Sequence, residues 1–164
     1  AFDVAPIVLP KEQLAVLQSH LMLCFTGLSR IASEVAKSTI ENLDQREKEL
    51  KQMRGLVDQA VSVLQSRTAP IEDFGKLLHE SWMYKRQLSD RVSNSEIDSL
   101  YDTARGVGAI GGKLLGAGGG GFFLLFVRPE HQNKLREKLS RLVHVPFRFE
   151  SAGSRVVLYQ PAGL

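Results

Sequence analysis

Gly108-Ala109-Ile110-Gly111-Gly112-Lys113-Leu114-Leu115-Gly116-Ala117-Gly118-Gly119-Gly120-Gly121, running on into Phe122-Phe123-Leu124-Leu125-Phe126-Val127, is the stretch that decides the fold. Eight of its first fourteen positions are glycine. Each glycine opens positive φ and removes a Cβ at an entropic cost, so this density marks main chain that passes close to another group. Successive N–H groups turned inward make a concavity for an anion, and phosphate is the obvious one. A tight, close-packed turn between helix and strand, with no ligand, is the competing reading. The apolar run that follows reads as a strand covered on both faces.

Context separates the phosphate loops that such a run resembles. Gly116, Gly118 and Gly121 satisfy G-x-G-x-x-G, but a dinucleotide fingerprint follows a strand and opens a helix, whereas here a helix precedes and a strand follows. A Walker A loop fails because Val107 stands at its first glycine and Leu114 at its hydroxyl. A protein-kinase glycine loop needs strands on both sides and fits poorly.

Working outward, residues 11–18 read as a short helix leading into the buried strand Leu21-Met22-Leu23-Cys24-Phe25-Thr26, which Gly27 ends. From about Ser29 the spacing is helical, first at Ile31 and Val35, then at Leu43, Leu50, Met53, Val57, Val61 and Leu64 as one face of a long helix. Pro70 breaks it. Phe74, Leu77, Leu78, Trp82 and Leu88 mark a second helix, expected to pack on the first as a hairpin. Ser93 with Glu96 suggests a capping box for a third, through Ile97, Leu100, Tyr101 and Ala104 to Gly106 or Gly108. Beyond the apolar strand, Pro129 opens a helix carrying Leu135, Leu139 and Leu142. Two short strands, Phe147-Arg148-Phe149-Glu150 and Arg155-Val156-Val157-Leu158-Tyr159, are expected to close the chain. The order argues for an α+β fold with helices layered on a small antiparallel sheet.

The chain has 164 residues, 43% of them hydrophobic, enough for one domain with a core. Its 21 Lys and Arg against 18 Asp and Glu leave +3, with both signs interleaved along helices, so nucleic-acid binding is not indicated. The single Cys24 excludes an internal disulfide framework and fits a reducing cytoplasm. No apolar run is long enough for a membrane span. The chain starts at Ala1, without Met, in what reads as mid-protein strand and loop, so a fragment is expected.

The segment from Lys113 through Gly121 to Phe122-Phe123 resembles the third conserved motif of the GHMP kinases, the superfamily of galactokinase, homoserine kinase, mevalonate kinase and phosphomevalonate kinase. Cys24-Phe25-Thr26-Gly27-Leu28-Ser29-Arg30, Phe74-Gly75-Lys76-Leu77-Leu78-His79-Glu80-Ser81-Trp82, Lys85-Arg86-Gln87-Leu88 and Gly108-Ala109-Ile110-Gly111-Gly112-Lys113 extend the likeness, in order, toward the heptose-phosphate kinase branch. Leu115 departs from the pattern, since many members carry Ser or Thr there. The resemblance implies that residues 1–164 are a ferredoxin-like GHMP kinase C-terminal domain. It implies ATP and Mg²⁺ as cofactors, D-glycero-D-manno-heptose 7-phosphate phosphorylated at its anomeric oxygen, and a separate N-terminal half bearing the principal ATP loop and the acidic residue. No such loop is present in this sequence, so the chain alone is expected to be inactive.

Within that frame Lys113 and residues 116–121, that is Gly116, Ala117, Gly118, Gly119, Gly120 and Gly121, are the candidate cofactor-binding set, an ammonium beside a loop of inward amides. Thr26, Arg30 and Lys85 are the candidate substrate contacts. A guanidinium at position 30 matches a phosphate geometrically, while Thr26 competes with a capping role and Lys85 with a solvated helix side. Trp82 shares the apolar helix face and reads as core. His79-Glu80 lacks the second His of a zinc helix, since Met83 stands there. Two other functions remain open at this point, a non-catalytic anion-sensing α+β domain and a docking module that uses the charged long helix.

Overall fold

The computed structural model describes residues 6–150 together with 153, 154 and 156. Among them, six α-helices lie against one four-stranded antiparallel sheet. The chain runs through α1 (Lys11–His20), β1 (Leu21–Phe25), α2 (Ala32–Glu41), a 3-10 turn (Leu43–Arg46), α3 (Glu47–Gln65), α4 (Glu72–Gln87) and α5 (Ser95–Gly106). The hairpin of β2 (Ala109–Leu114) and β3 (Phe122–Val127) follows, then α6 (Pro129–Lys138) and β4 (Val143–Val145). Strand order β2-β3-β1-β4 is the ferredoxin-like arrangement, with several helices in the first crossover.

β1 and β3 lie at the centre because nearly all their side chains are apolar, which suits strands covered on both faces. Alternation sends Met22, Cys24, Phe123 and Leu125 to a cluster with Trp82, Ile97, Tyr101 and Leu135. The residues between them, Leu21, Leu124 and Phe126, join Leu17, Leu64, Phe74 and Leu78 instead. Register pairs Leu21 with Phe126 and Phe25 with Phe122, so the end of β1 meets the start of β3 beside the glycine-rich turn.

The expected elements hold with six corrections, the first being that α6 ends at Lys138, so Leu139 and Leu142, expected on its apolar side, are buried beyond its end. Residues 109–114 form a strand, hidden from pattern reading by Gly111 and Gly112. A Cβ on Gly111 would overlap the Gly75 carbonyl of α4, and one on Gly112 would stand 2.7 Å from the Leu124 carbonyl oxygen. The long helical face is interrupted, since α2 ends at Asn42, whose side chain donates to the Leu88 carbonyl at 3.2 Å. Within α3 the buried positions are Leu56 and Leu64, while Val57 is 52% exposed and Leu43 lies in the 3-10 turn, 37% exposed. Asn94, not Ser93, caps α5, accepting from the N–H groups of Glu96 and Ile97 at 3.0 Å, and Ser93 binds Asp98 instead. Finally, residues 147–150 are not a strand among the described residues; β4 is Val143–Val145, and the segment after it laces onto α1 through both ends of the Gln18 amide, which meet Phe147 and Phe149. The strand expected over residues 155–159 lies, but for Val156, outside the described residues.

Candidate functional site

The glycine-rich segment has two parts with different jobs. The first is β2, against which α4 lies. The second is the turn of the β2–β3 hairpin, closed by the Leu115 N–H donating to the Phe122 carbonyl at 2.8 Å. Two other connections seat this turn. The Gly119 N–H donates to Val92 O at 2.9 Å, between α4 and α5, and the Gly121 N–H to Leu28 O at 3.0 Å, after β1. The Thr26 N–H and hydroxyl both donate to Gly121 O at 2.9 Å.

These approaches explain much of the glycine content. A Cβ on Gly118 would stand 2.8 Å from Val92 Cα, one on Gly119 2.9 Å from Arg30 Cγ, and one on Gly120 would overlap the Leu28 carbonyl. Gly116 and Gly121 meet no neighbour but hold φ of +70° and +96°, where a side chain is strained. Close packing therefore accounts for residues 118–120, yet it leaves donors unspent. The N–H groups of Gly116, Ala117, Gly118 and Gly120 find no acceptor among the described residues. Gly118 is buried, and a buried unpaired N–H costs about 1–3 kcal/mol, so the turn is a place where an outside acceptor is favoured.

Two ammonium groups stand at the Gly116 end. Lys85 reaches from α4 to donate to Leu114 O at 2.9 Å and Gly116 O at 2.6 Å. A trans peptide sets C=O and N–H antiparallel, so holding the Gly116 carbonyl aims the Ala117 N–H away from Lys85. Burial, with the Lys113 charge second, lowers the Lys85 pKa to about 8. Lys113, on β2, donates to Ser81 Oγ at 3.3 Å, and burial lowers its pKa as well. An arriving anion would relieve both depressions. At the opposite flank Arg30 is exposed, its stem lies over Gly119, and its guanidinium has no partner among the described residues.

Lys113, residues 116–121, Thr26, Arg30 and Lys85 thus meet around one turn. Thr26 and Lys85 are spent on main-chain carbonyls and act on the shape of the turn, whereas Arg30 is uncommitted. Trp82 is fully buried, edge-on to Tyr101 and Phe123, and lies in the core as its spacing implies. His79 pairs with the Tyr101 hydroxyl at 2.7 Å. Sequence reasoning missed the Arg91-Val92 wall. The Ser-Asp-Asn-rich stretch around it signals a turn, but nothing local says that it meets Gly118 and Gly119. Among the described residues no group of three or more His, Cys, Asp or Glu is placed to hold a metal, and no helix is long and apolar enough to cross a membrane.

Residues 65–144 match the family model described as GHMP kinases C terminal. The D-glycero-alpha-D-manno-heptose 7-phosphate kinase of Campylobacter jejuni is 33% identical over 128 residues, which is 76% of this chain and 37% of that protein. The bifunctional fucokinase/GDP-fucose pyrophosphorylase of Arabidopsis thaliana is 28% identical over 140 residues, 84% of this chain and 13% of that one. The crystal structure of L. major mevalonate kinase in complex with R-mevalonate shares the fold, with a TM-score of 0.64 at 23% identity over 76% of this chain and 40% of its own. This chain therefore spans well under half the length of each.

Proposed function

Because this chain carries the C-terminal domain of the GHMP kinase family, we propose that it forms one wall of the phosphoryl-transfer cleft of a sugar kinase. The acceptor in this reading is a sugar phosphate such as D-glycero-D-manno-heptose 7-phosphate, taken at its anomeric oxygen, a choice supported by the 33% identical relative. The observation that carries the reading is the set of four N–H groups, at Gly116, Ala117, Gly118 and Gly120, that have no acceptor among the described residues, on a turn clamped by Val92, Leu28 and Thr26.

ATP, when bound, supplies the phosphoryl group. The turn fits its phosphate oxygens, because amides fixed before the ligand arrives stabilise charge without reorganising. Lys113 adds a cation beside them, and Lys85 keeps the Leu114 and Gly116 carbonyl dipoles turned away from an approaching anion. In this reading Mg²⁺ is held together with the N-terminal half, since among the described residues no group of three or more His, Cys, Asp or Glu is placed to hold a metal. In this reading the principal ATP loop and the acidic residue belong to an N-terminal half, and one wall of the cleft does not catalyse alone.

Titration of the ¹⁵N-labelled chain with pyrophosphate should move the four free amides and spare those of Gly119 and Gly121. The purified chain should consume no ATP in the presence of a heptose phosphate. Unmoved amides at the turn, or turnover by these 164 residues alone, would refute the reading.

A further inference from the structure

At the end of β1 away from the glycine turn, the sheet among the described residues is one strand short. β4 pairs with Leu23, Cys24 and Phe25 alone, and Val145 is followed by Pro146, which has no N–H to extend the ladder. Beside Leu21 and Met22 this leaves a cavity of about 350 Å³ between α1, α6 and the segment after β4. Its volume lies at the small end of ligand pockets, about 300–1,000 Å³. The walls are fastened before any ligand arrives: Gln132 of α6 donates to Ser19 O of α1 at 2.6 Å, and the Gln18 amide holds Phe147 and Phe149. Arg136 is the one charged residue in the lining, with no carboxylate beside it there. It spends Nη1 on Asn133 Oδ1 at 3.0 Å, and its Nε and Nη2 edge has no partner among the described residues. His144 lines the same space. Its Nδ1 lies 3.3 Å from Cys24 Sγ, while its Nε2 is shut off from water and has no partner among the described residues. Burial raises the Cys24 pKa to about 11, so the thiol keeps its proton and donates it to Nδ1, which puts the ring proton on Nε2. A buried donor without an acceptor is costly, and an arriving oxygen relieves it.

One guanidinium, one unspent imidazole N–H and no carboxylate favour an anion, and a single permanent cation matches a single negative charge. The apolar lining of Leu21, Met22 and Val145 suits a short hydrocarbon body. A phosphate dianion would bring a second charge that no group in the lining offsets, and would set oxygens against that apolar surface. We propose that this cavity binds a small organic carboxylate with a short aliphatic body, its oxygens on the free edge of Arg136 and on the His144 Nε2–H, toward which the ring tips as the ligand enters. The site draws on none of the residues around the glycine turn, so it stands whatever that turn binds.

The test titrates the ¹⁵N-labelled chain with isovalerate, with its near-isosteres isoamyl alcohol and isoamylamine, and with inorganic phosphate, in separate samples. Isovalerate should shift the amides of Leu23, Gln132 and Val145 and the Nε2 resonance of His144, and bind about tenfold tighter than any of the other three. Arg136→Gln and His144→Phe should each weaken it about tenfold, while Lys51→Gln on the exposed face of α3 should change nothing. Melting temperatures matching the parent chain separate lost contacts from lost folding, and the ranking of the four probes is read on the parent chain, so it decides even where a variant fails to fold. Silence at these resonances up to tens of millimolar, equal or tighter binding of the alcohol, the amine or phosphate, or indifference of a folded variant to the loss of either Arg136 or His144 overturns the carboxylate site.

Discussion

A methyl group placed on Gly118 asks whether the turn is seated on the α4–α5 connection as firmly as its contacts imply. Gly118 holds φ of +123°, and its Cβ would lie 2.8 Å from both Cα and the carbonyl oxygen of Val92. Both are main-chain atoms, so no rotamer change relieves the clash; the turn or the connection must move. The backbone conformation costs an alanine about 1–3 kcal/mol, and overpacking adds about 1–3 kcal/mol. The shift also threatens the Gly119 N–H bond to Val92 O, worth about 1 kcal/mol. Gly116→Ala provides the reference, because φ is +70° but no atom lies within 4 Å of its Cβ. It bears only the left-handed cost, about 1–2 kcal/mol, partly offset by a stiffer unfolded chain. Gly118→Ala should therefore lose about 3 kcal/mol more than Gly116→Ala, which at about 2–4 °C per kcal/mol is about 6–12 °C in Tm. Thermal unfolding followed by circular dichroism reads the difference. Equal losses for the two variants would show that Val92 does not hold the turn, and the case for preformed amides would fall with it.

Three further outcomes follow from single residues. Lys85 has a pKa of about 8 in the fold against 10.5 when unfolded, so between those values the unfolded chain binds more protons and stability rises with pH. Cys24 opposes it, because burial pushes its thiol from 9.0 up to about 11, so stability falls as pH climbs through that window. The lysine contribution is read from the urea midpoint of the parent chain minus that of Lys85→Met from pH 8 to 9; a difference that stays flat contradicts a desolvated ammonium. The Cys24 thiol, with no exposed surface, should react with an aromatic disulfide reagent only as fast as the chain opens, and rapid stoichiometric release under native conditions would contradict its placement. Gly111→Ala should destabilise by about 1–3 kcal/mol because the Gly75 carbonyl and the His79 nitrogen occupy the space of its Cβ. Gly55→Ala, in open space on α3, should instead stabilise by up to about 1 kcal/mol, and urea melts of the pair decide whether α4 lies as close to β2 as described.

Period and punctuation carried most of the fold. Phe122-Phe123-Leu124-Leu125-Phe126-Val127 admitted few readings other than a doubly covered strand, and Pro129 begins α6, Gly106 ends α5 and Pro70 lies in the connection between α3 and α4. The misses came where distant contacts outweighed local pattern. Val57 has the right spacing for the buried face of α3, yet the face turned against α4 centres on Leu56 and Leu64, a rotation that depends on the partner helix and not on α3 itself. Asn94 displaced Ser93 as the cap because Ser93 is drawn to Asp98. β4 is three residues long, with only Val143 and Val145 to announce it.

The site was legible in kind but not in cause. Glycine is required in residues 108–121 for three unrelated reasons: a helix resting on a strand at Gly111, main chain crossing main chain at Gly118 and Gly120, and positive φ in open space at Gly116 and Gly121. All three write the same letter, so composition alone fused a strand and a turn into one loop. The donors that matter are identified only by subtraction, once Val92, Leu28 and Phe122 have claimed the N–H groups of Gly119, Gly121 and Leu115. Those claims join residues far apart in the chain. The glycine pattern can thus announce that a close-set backbone turn exists, while which of its amides stay without an acceptor among the described residues is settled by the connections that fold back to meet it.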